Sequence, residues 1–268
     1  MRVGGQTAAA PLEVNGKSVS ELLALIDERG AVVPSSVSGY IQYVGYAQLI
    51  AIATRTDSVI RLVHRPGHYL ATGRPLAMVW PRGAGHEVAL ALSKAHVTGP
   101  HRTLVQDPVF AIDQLVEIGI RALSAAVNDT FTALTCIDWL GAGLSRVSGR
   151  VLEEGIYRDN NGYVRLIEFD PSYARMVNRS YDKIRQSADG NPAVLIRLID
   201  SIAGVMLDTT SPAQREVLQR QADMVLRAAE RSVAEGHDLE EIRLRYSRIP
   251  GEEHFQEGLH SWSTLDPT

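Results

Sequence analysis

One cysteine, Cys136, stands in a chain of 268 residues. A lone thiol excludes an internal disulfide and a cysteine-rich zinc cluster, and it marks no redox compartment. Long apolar runs are missing as well. No run of about 18 apolar residues occurs, so no segment reads as a membrane-spanning helix. No charged-then-apolar leader reads as a signal peptide. Lysine is scarce: only Lys17, Lys94 and Lys183 among 27 basic residues. With a net charge of −4, the arginine excess reads as coding bias, and no nucleic-acid partner is expected. The chain lacks Gly-x-Gly-x-x-Gly, a P-loop, Gly-x-Ser-x-Gly and His-Glu-x-x-His. Ser124 has no histidine near it in sequence, which leaves a serine hydrolase unsupported. His96, His101 and Asp107 do not form a defined ligand set, and no metal is expected. No spacing names a cofactor.

What remains is ordinary for a water-soluble globular chain: 45% hydrophobic and 22% charged residues. Residues 1–17, with Gly4-Gly5 and three alanines, read as a flexible leader, and 250–268 as a flexible tail. Residues 18–100 read as a small mixed α/β subdomain. Ser18-Val-Ser-Glu21 is a capping box opening a helix to Arg29. Strands are expected over Gly39–Val44, Ser58–His64, Tyr69–Ala71 and Pro75–Trp80, with helices over Tyr46–Thr54 and His86–Val97. The spacing Pro66-Gly67 … Gly73 … Leu76 resembles hairpins of lipoyl-carrier barrels, but no Lys sits at the carrier position. Residues 101–249 read as a helical bundle, with helices over 109–126, 130–148, 172–187, 193–207 and 212–235. Within that span Asp159-Asn160-Asn161-Gly162 marks a turn before a strand at Tyr163–Phe169. The expected class is therefore α+β, mainly α: a helical bundle with a small N-terminal β-subdomain.

The stretch Arg102–Ala133 organises the rest. Asp107-Pro108 is a helix start, since Asp can accept from first-turn amides and Pro loses nothing at the first position. Ile112, Leu115, Val116, Gly119 and Leu123 share one face at helical spacing. Asp113, Glu117 and Arg121 follow at i, i+4 steps on the other. That row is either a solvated face or an acid–acid–base row carried into a pocket. In the second case Arg121 is the anion anchor and Asp113 or Glu117 the proton acceptor. Asn128-Asp129 caps the next helix. Arg102, Asp107, Asn128 and Asp129 are the candidate ligand contacts. A helix from Pro108 to about Ala126 is about 28 Å long. Its two ends can share a site only if a neighbouring helix, or a second subunit, folds over the row.

Arg102-Thr103, Asp107, Phe110-Ala111-Ile112, Leu115-Val116, Ile118, Arg121-Ala122-Leu123-Ser124, Asn128-Asp129 and Thr132-Ala133 together resemble the bacterial Domain of Unknown Function 2254 family of predicted membrane proteins. Ser38-Gly39-Tyr40-Ile41-Gln42, Arg65-Pro66-Gly67-His68-Tyr69 and Gly73-Arg74-Pro75-Leu76 extend the similarity from about Gly30 to Glu235. Ala125 and Thr130 stand where the family pattern has prolines, which should loosen the turn or let the helices extend. The resemblance implies a ligand-sensing or interaction module, the cytoplasmic or otherwise soluble face of a membrane protein. Any membrane contact would then come through an N-terminal segment. It carries no settled activity. The residues leave two alternatives open: a stand-alone soluble enzyme with an acid/Arg pocket, and a structural oligomerisation domain. A homo-oligomer and a small-molecule ligand are the expected partners.

Overall fold

The computed structural model describes residues 17–148, 155–168 and 172–249. The expected leader and tail, and Asp170-Pro171, whose residue types read as a helix start, lie outside the described residues, apart from Lys17. The chain is α+β and mainly α, and it divides into two compact units: residues 1–110 with 153–170, and residues 111–152 with 171–268. The hairpin at 156–167 thus joins the first unit, although it falls inside the span 101–249 read from sequence as bundle. Strand pairing, which no local pattern encodes, decides this.

In the first unit, β1 (Ala31–Pro34), β5 (Pro75–Trp80), β3 (Val59–Leu62), β8 (Val164–Ile167) and β7 (Ile156–Arg158) form one sheet in that order. β3 and β8 run parallel, and the other pairs antiparallel. α1 (Val19–Arg29) covers one face, packing Leu22 and Ile26 on Val59, Val164 and Ile167. The capping box expected at Ser18 and Glu21 is formed. The other face meets α2 (Tyr46–Arg55) and α3 (Gly85–Ala95) through Ile60, Leu62, Ala77 and Val79. Cover on both faces explains why β8 is buried at every residue instead of alternating. Arg165 on β8 is tolerated because Asp159 and Asp57 both pair with it. Burial pushes the Asp159 carboxyl up. Arg165 and the amides of Tyr163 and Asn161 outweigh this and hold it below its usual range.

A second sheet orders β4 (Tyr69–Leu70), β2 (Gly39–Val44) and β6 (His96–Gly99). The helix expected to run to Val97 stops at Ala95 because His96–Gly99 pairs with β2. In the second unit, α5 (Thr130–Val147), α6 (Tyr173–Ser187), α7 (Pro192–Leu207), α8 (Pro212–Ser232) and α9 (Gly236–Ser247) pack through Ile137, Leu144, Tyr181, Ile184, Leu198, Leu218 and Val225, all fully buried or nearly so. Asn191 caps α7 ahead of Pro192, as its residue types dictate. Ser211-Pro212-Ala213-Gln214 has the residue spacing of a capping box, but Ser211 makes no side-chain cap bond to α8, so the serine half of the box is not formed.

Candidate functional site: a cleft between α4 and α6

α4 (Pro108–Ala122) begins in the first unit and continues into the second. Its start is fixed by Asp107, whose side chain is 1% exposed. One carboxylate oxygen accepts from the Phe110 amide at 3.1 Å. The other accepts from Arg102 Nε at 2.8 Å and from an Arg102 terminal nitrogen at 2.6 Å. The Arg102 guanidinium also lies 4.8 Å from the Phe110 ring centre. Gly67 leans on the same carboxylate, where a β-carbon would stand 1.9 Å from the oxygen. Residues far apart in sequence, from the Arg65–Tyr69 turn and the Arg102–Asp107 loop, thus converge on one buried acid. The result is a closed ion pair that fastens a loop.

The α4 row divides. Glu117 and Arg121 pair at 2.7 Å on the surface, with side chains 57% and 70% exposed. Asp113 is held by Arg179 of α6, whose terminal nitrogen donates at 2.8 Å while its Nε contacts the other oxygen. Gly119 brings α4 against Ile184 of α6 and Cys136 of α5, both within ordinary contact of a β-carbon placed there. α4 stops at Ala122 and α5 starts at Thr130, so the helices do not extend into the turn. Backbone bonds from Asn128 to Ser124 and from Asp129 to Ala122 close it. Asn128 takes φ of 49°, a left-handed conformation that Asn adopts more readily than most residues. Asp129 caps α5 through Thr132. The Thr132 hydroxyl, then its amide, holds the Asp129 carboxyl below its usual range. Both turn residues are exposed.

Beside Asp113 a cleft of about 380 Å³ opens between α4 and α6. Val116 gives it an apolar wall; Arg175, Asn178, Arg179, Asp182 and Lys183 line the rest. Asp182 is engaged by Arg185 and, with Asn178, by the buried Gln221 amide. Arg179 is taken by Asp113. Arg175 and Lys183 make no ion pair among the described residues and stand exposed at the cleft. Glu117, Arg121, Asn128 and Asp129 are not among its lining. Sequence reasoning singled out Asp113 and missed Arg175, Arg179 and Lys183, although their i, i+4, i+8 spacing was a readable signal. A second cleft, between α5 and α7, has its arginine consumed: Arg197 meets both oxygens of Asp138 at 2.9 Å. The described residues contain no cluster of three metal-ligating side chains.

These features define a class: a mainly α chain with a cation-lined helical cleft, and no helix among the described residues long and apolar enough to cross a membrane. The chain belongs to the family described as "Predicted membrane protein (DUF2254)", whose family model matches residues 6–204. Among relatives, uncharacterized proteins of Mycobacterium bovis and of Mycobacterium tuberculosis are each 31% identical over 207 residues. That match covers 75% of this chain and 40% of each relative, so the chain spans less than half the length of the relatives it matches. No solved structure matches.

Proposed function

We propose that the chain is a ligand-binding module of a membrane-associated protein, and that the α4–α6 cleft takes a small anionic ligand, a phosphate or a carboxylate. The observation that carries this reading is the pair of cations, Arg175 and Lys183, standing without acidic partners among the described residues at a cleft with an apolar wall. Such charges are complementary to an anion, and a guanidinium can engage an oxyanion with two parallel hydrogen bonds. In this reading Asp113 positions Arg179, and Val116 excludes water from one side. Family membership supports the membrane association, and the cleft supports the ligand. The acid/Arg enzyme is the weaker alternative, because Glu117 and Arg121 neutralise each other in solvent, one turn beyond the cleft.

The test is ligand-dependent melting of the full chain with inorganic phosphate, pyrophosphate and citrate, against chloride at matched ionic strength. At least one oxyanion should raise the melting temperature. Arg175→Ala with Lys183→Ala should abolish that gain, while Glu117→Ala should leave it intact. Equal response to chloride and the oxyanions, or an undiminished gain in the double variant, would sink the reading.

A further inference from the structure

The small sheet and the loops fastened to it are built from residues 38–44, 64–74 and 96–107. These segments hold three Arg and four His against a single acid, Asp107; Arg65 is buried and Arg102 pairs with Asp107, so Arg74 is the arginine they expose. Asp107 is buried and paired with Arg102, so the segments present no carboxylate to solvent. In a chain of net charge −4 this is a local reversal of sign.

The same segments expose large apolar and amphipathic side chains: Tyr43 at 45%, Tyr69 at 58%, Val97 at 51%, Leu104 at 63% and Val105 at 71%. Tyr43 and Val97 oppose each other across the β2–β6 ladder, and Tyr69 meets Tyr40 edge-on at 5.3 Å. Leu104 and Val105 lie in a loop shaped by polar ties. The Gln106 amide stands in for a strand neighbour: it accepts from the Val44 amide at 2.8 Å and donates to the Val44 carbonyl at 3.1 Å. Gln42 donates to the His101 carbonyl at 2.8 Å. The Arg102–Asp107 pair closes the base. Two aliphatic side chains are thus held in water by a preorganised loop, which lowers the entropy cost of any docking they do.

We infer that this face docks on the surface of an anionic lipid bilayer. Leu104 and Val105 enter the acyl boundary, Tyr43 and Tyr69 lie at headgroup depth, and Arg74 and His101 meet the lipid phosphates. Tyrosine suits that depth because its ring is apolar and its hydroxyl polar. Basic side chains gain from the negative surface potential, and exposed aliphatics gain from leaving water. A second copy of the chain fits worse, since pairing this face with itself opposes like charges. Membership in a family of predicted membrane proteins places a bilayer within reach. This contact uses the first unit alone and is independent of the α4–α6 cleft.

Flotation of the full chain with vesicles tests it. The chain should float with phosphatidylcholine–phosphatidylglycerol vesicles, much less with phosphatidylcholine alone, and less as salt rises. Leu104→Asp combined with Val105→Asp should weaken binding by about tenfold or more, each side chain's gain from leaving water being lost. Both positions are exposed, so its melting temperature should be unchanged. Arg175→Ala with Lys183→Ala should float like the unaltered chain, which separates this contact from the cleft. Equal binding to neutral and anionic vesicles, no flotation at all, or an unweakened loop variant overturns the inference. So does a loop variant that floats normally but loses self-association or capture of an RNA oligonucleotide.

Discussion

Replacing Gly67 by Ala should be among the costlier single changes in the first unit, and the cost should depend on Asp107. Gly67 has φ of 89°, where an L-residue carries a penalty of about 1–2 kcal/mol. The added β-carbon would also stand 1.9 Å from the Asp107 carboxylate, so that group must move off Arg102. Loss of charge-assisted bonds of this kind costs about 1.5–3 kcal/mol. Gly67→Ala alone should therefore destabilise by about 3–5 kcal/mol. Asp107→Ala should cost about 2–3 kcal/mol, below the figure for a sealed orphan charge, because Arg102 is 21% exposed and can turn to water. In the double variant the collision has no partner, and Gly67→Ala should add only the φ penalty. Urea unfolding followed by far-UV circular dichroism, run as a four-protein cycle, should give a coupling of about −2 kcal/mol. Additivity to within about 0.5 kcal/mol would refute the close approach as the source of the cost.

Three further outcomes follow from the same structure. Leu198→Ala, at a fully buried α7 position, should cost about 2–5 kcal/mol in the same assay; a loss below about 1 kcal/mol would mean the bundle core lies elsewhere. Asp159→Ala should cost about 2–3 kcal/mol, since Arg165 stays buried and keeps Asp57, the Ser58 carbonyl and the Tyr163 ring face but loses its buried carboxylate; an unchanged urea midpoint would show that the pair adds nothing. Asp129→Ala should lower the melting temperature at neutral pH. Its carboxyl is depressed in the fold, so its contribution is present above the unfolded pKa of about 4 and is lost as pH falls through the folded value. The gap between variant and parent should close on acidification, and a pH-independent gap would count against the cap as its cause.

Local chemistry was legible, and long-range pairing was not. Ser18, Asp107, Asp129 and Asn191 all announce helix starts by residue type, and the Asp159–Gly162 turn is where its composition puts it. His96–Gly99 could not be read as a strand, because β2 rather than any intrinsic period selects it. The site shows the same limit. Asp113 stood out in sequence as part of a row, but its partner Arg179 lies 66 residues away. Two residues of the row, Glu117 and Arg121, proved to be a surface pair of the kind that i, i+4 spacing most often produces. The fastening of Leu104–Val105 was invisible for a further reason: Gln106 acts through its side chain where a backbone strand would ordinarily stand.

The parallel pairing of β8 with β3 has a consequence for biosynthesis. β8 sits between β3 and β7, yet it emerges from the ribosome only after α4 and α5. Until residue 167 is made, β3 keeps one edge unpaired, with Val59, Ile60 and Leu62 ready to recruit any extended segment nearby. The α4–α5 hairpin meanwhile waits for α6 and α7 to cover its apolar side. Neither half can finish before the other has begun. A nascent chain halted near residue 148 would hold two incomplete cores, which predicts strong dependence on chaperones during synthesis and poor recovery of fragments cut between the two units.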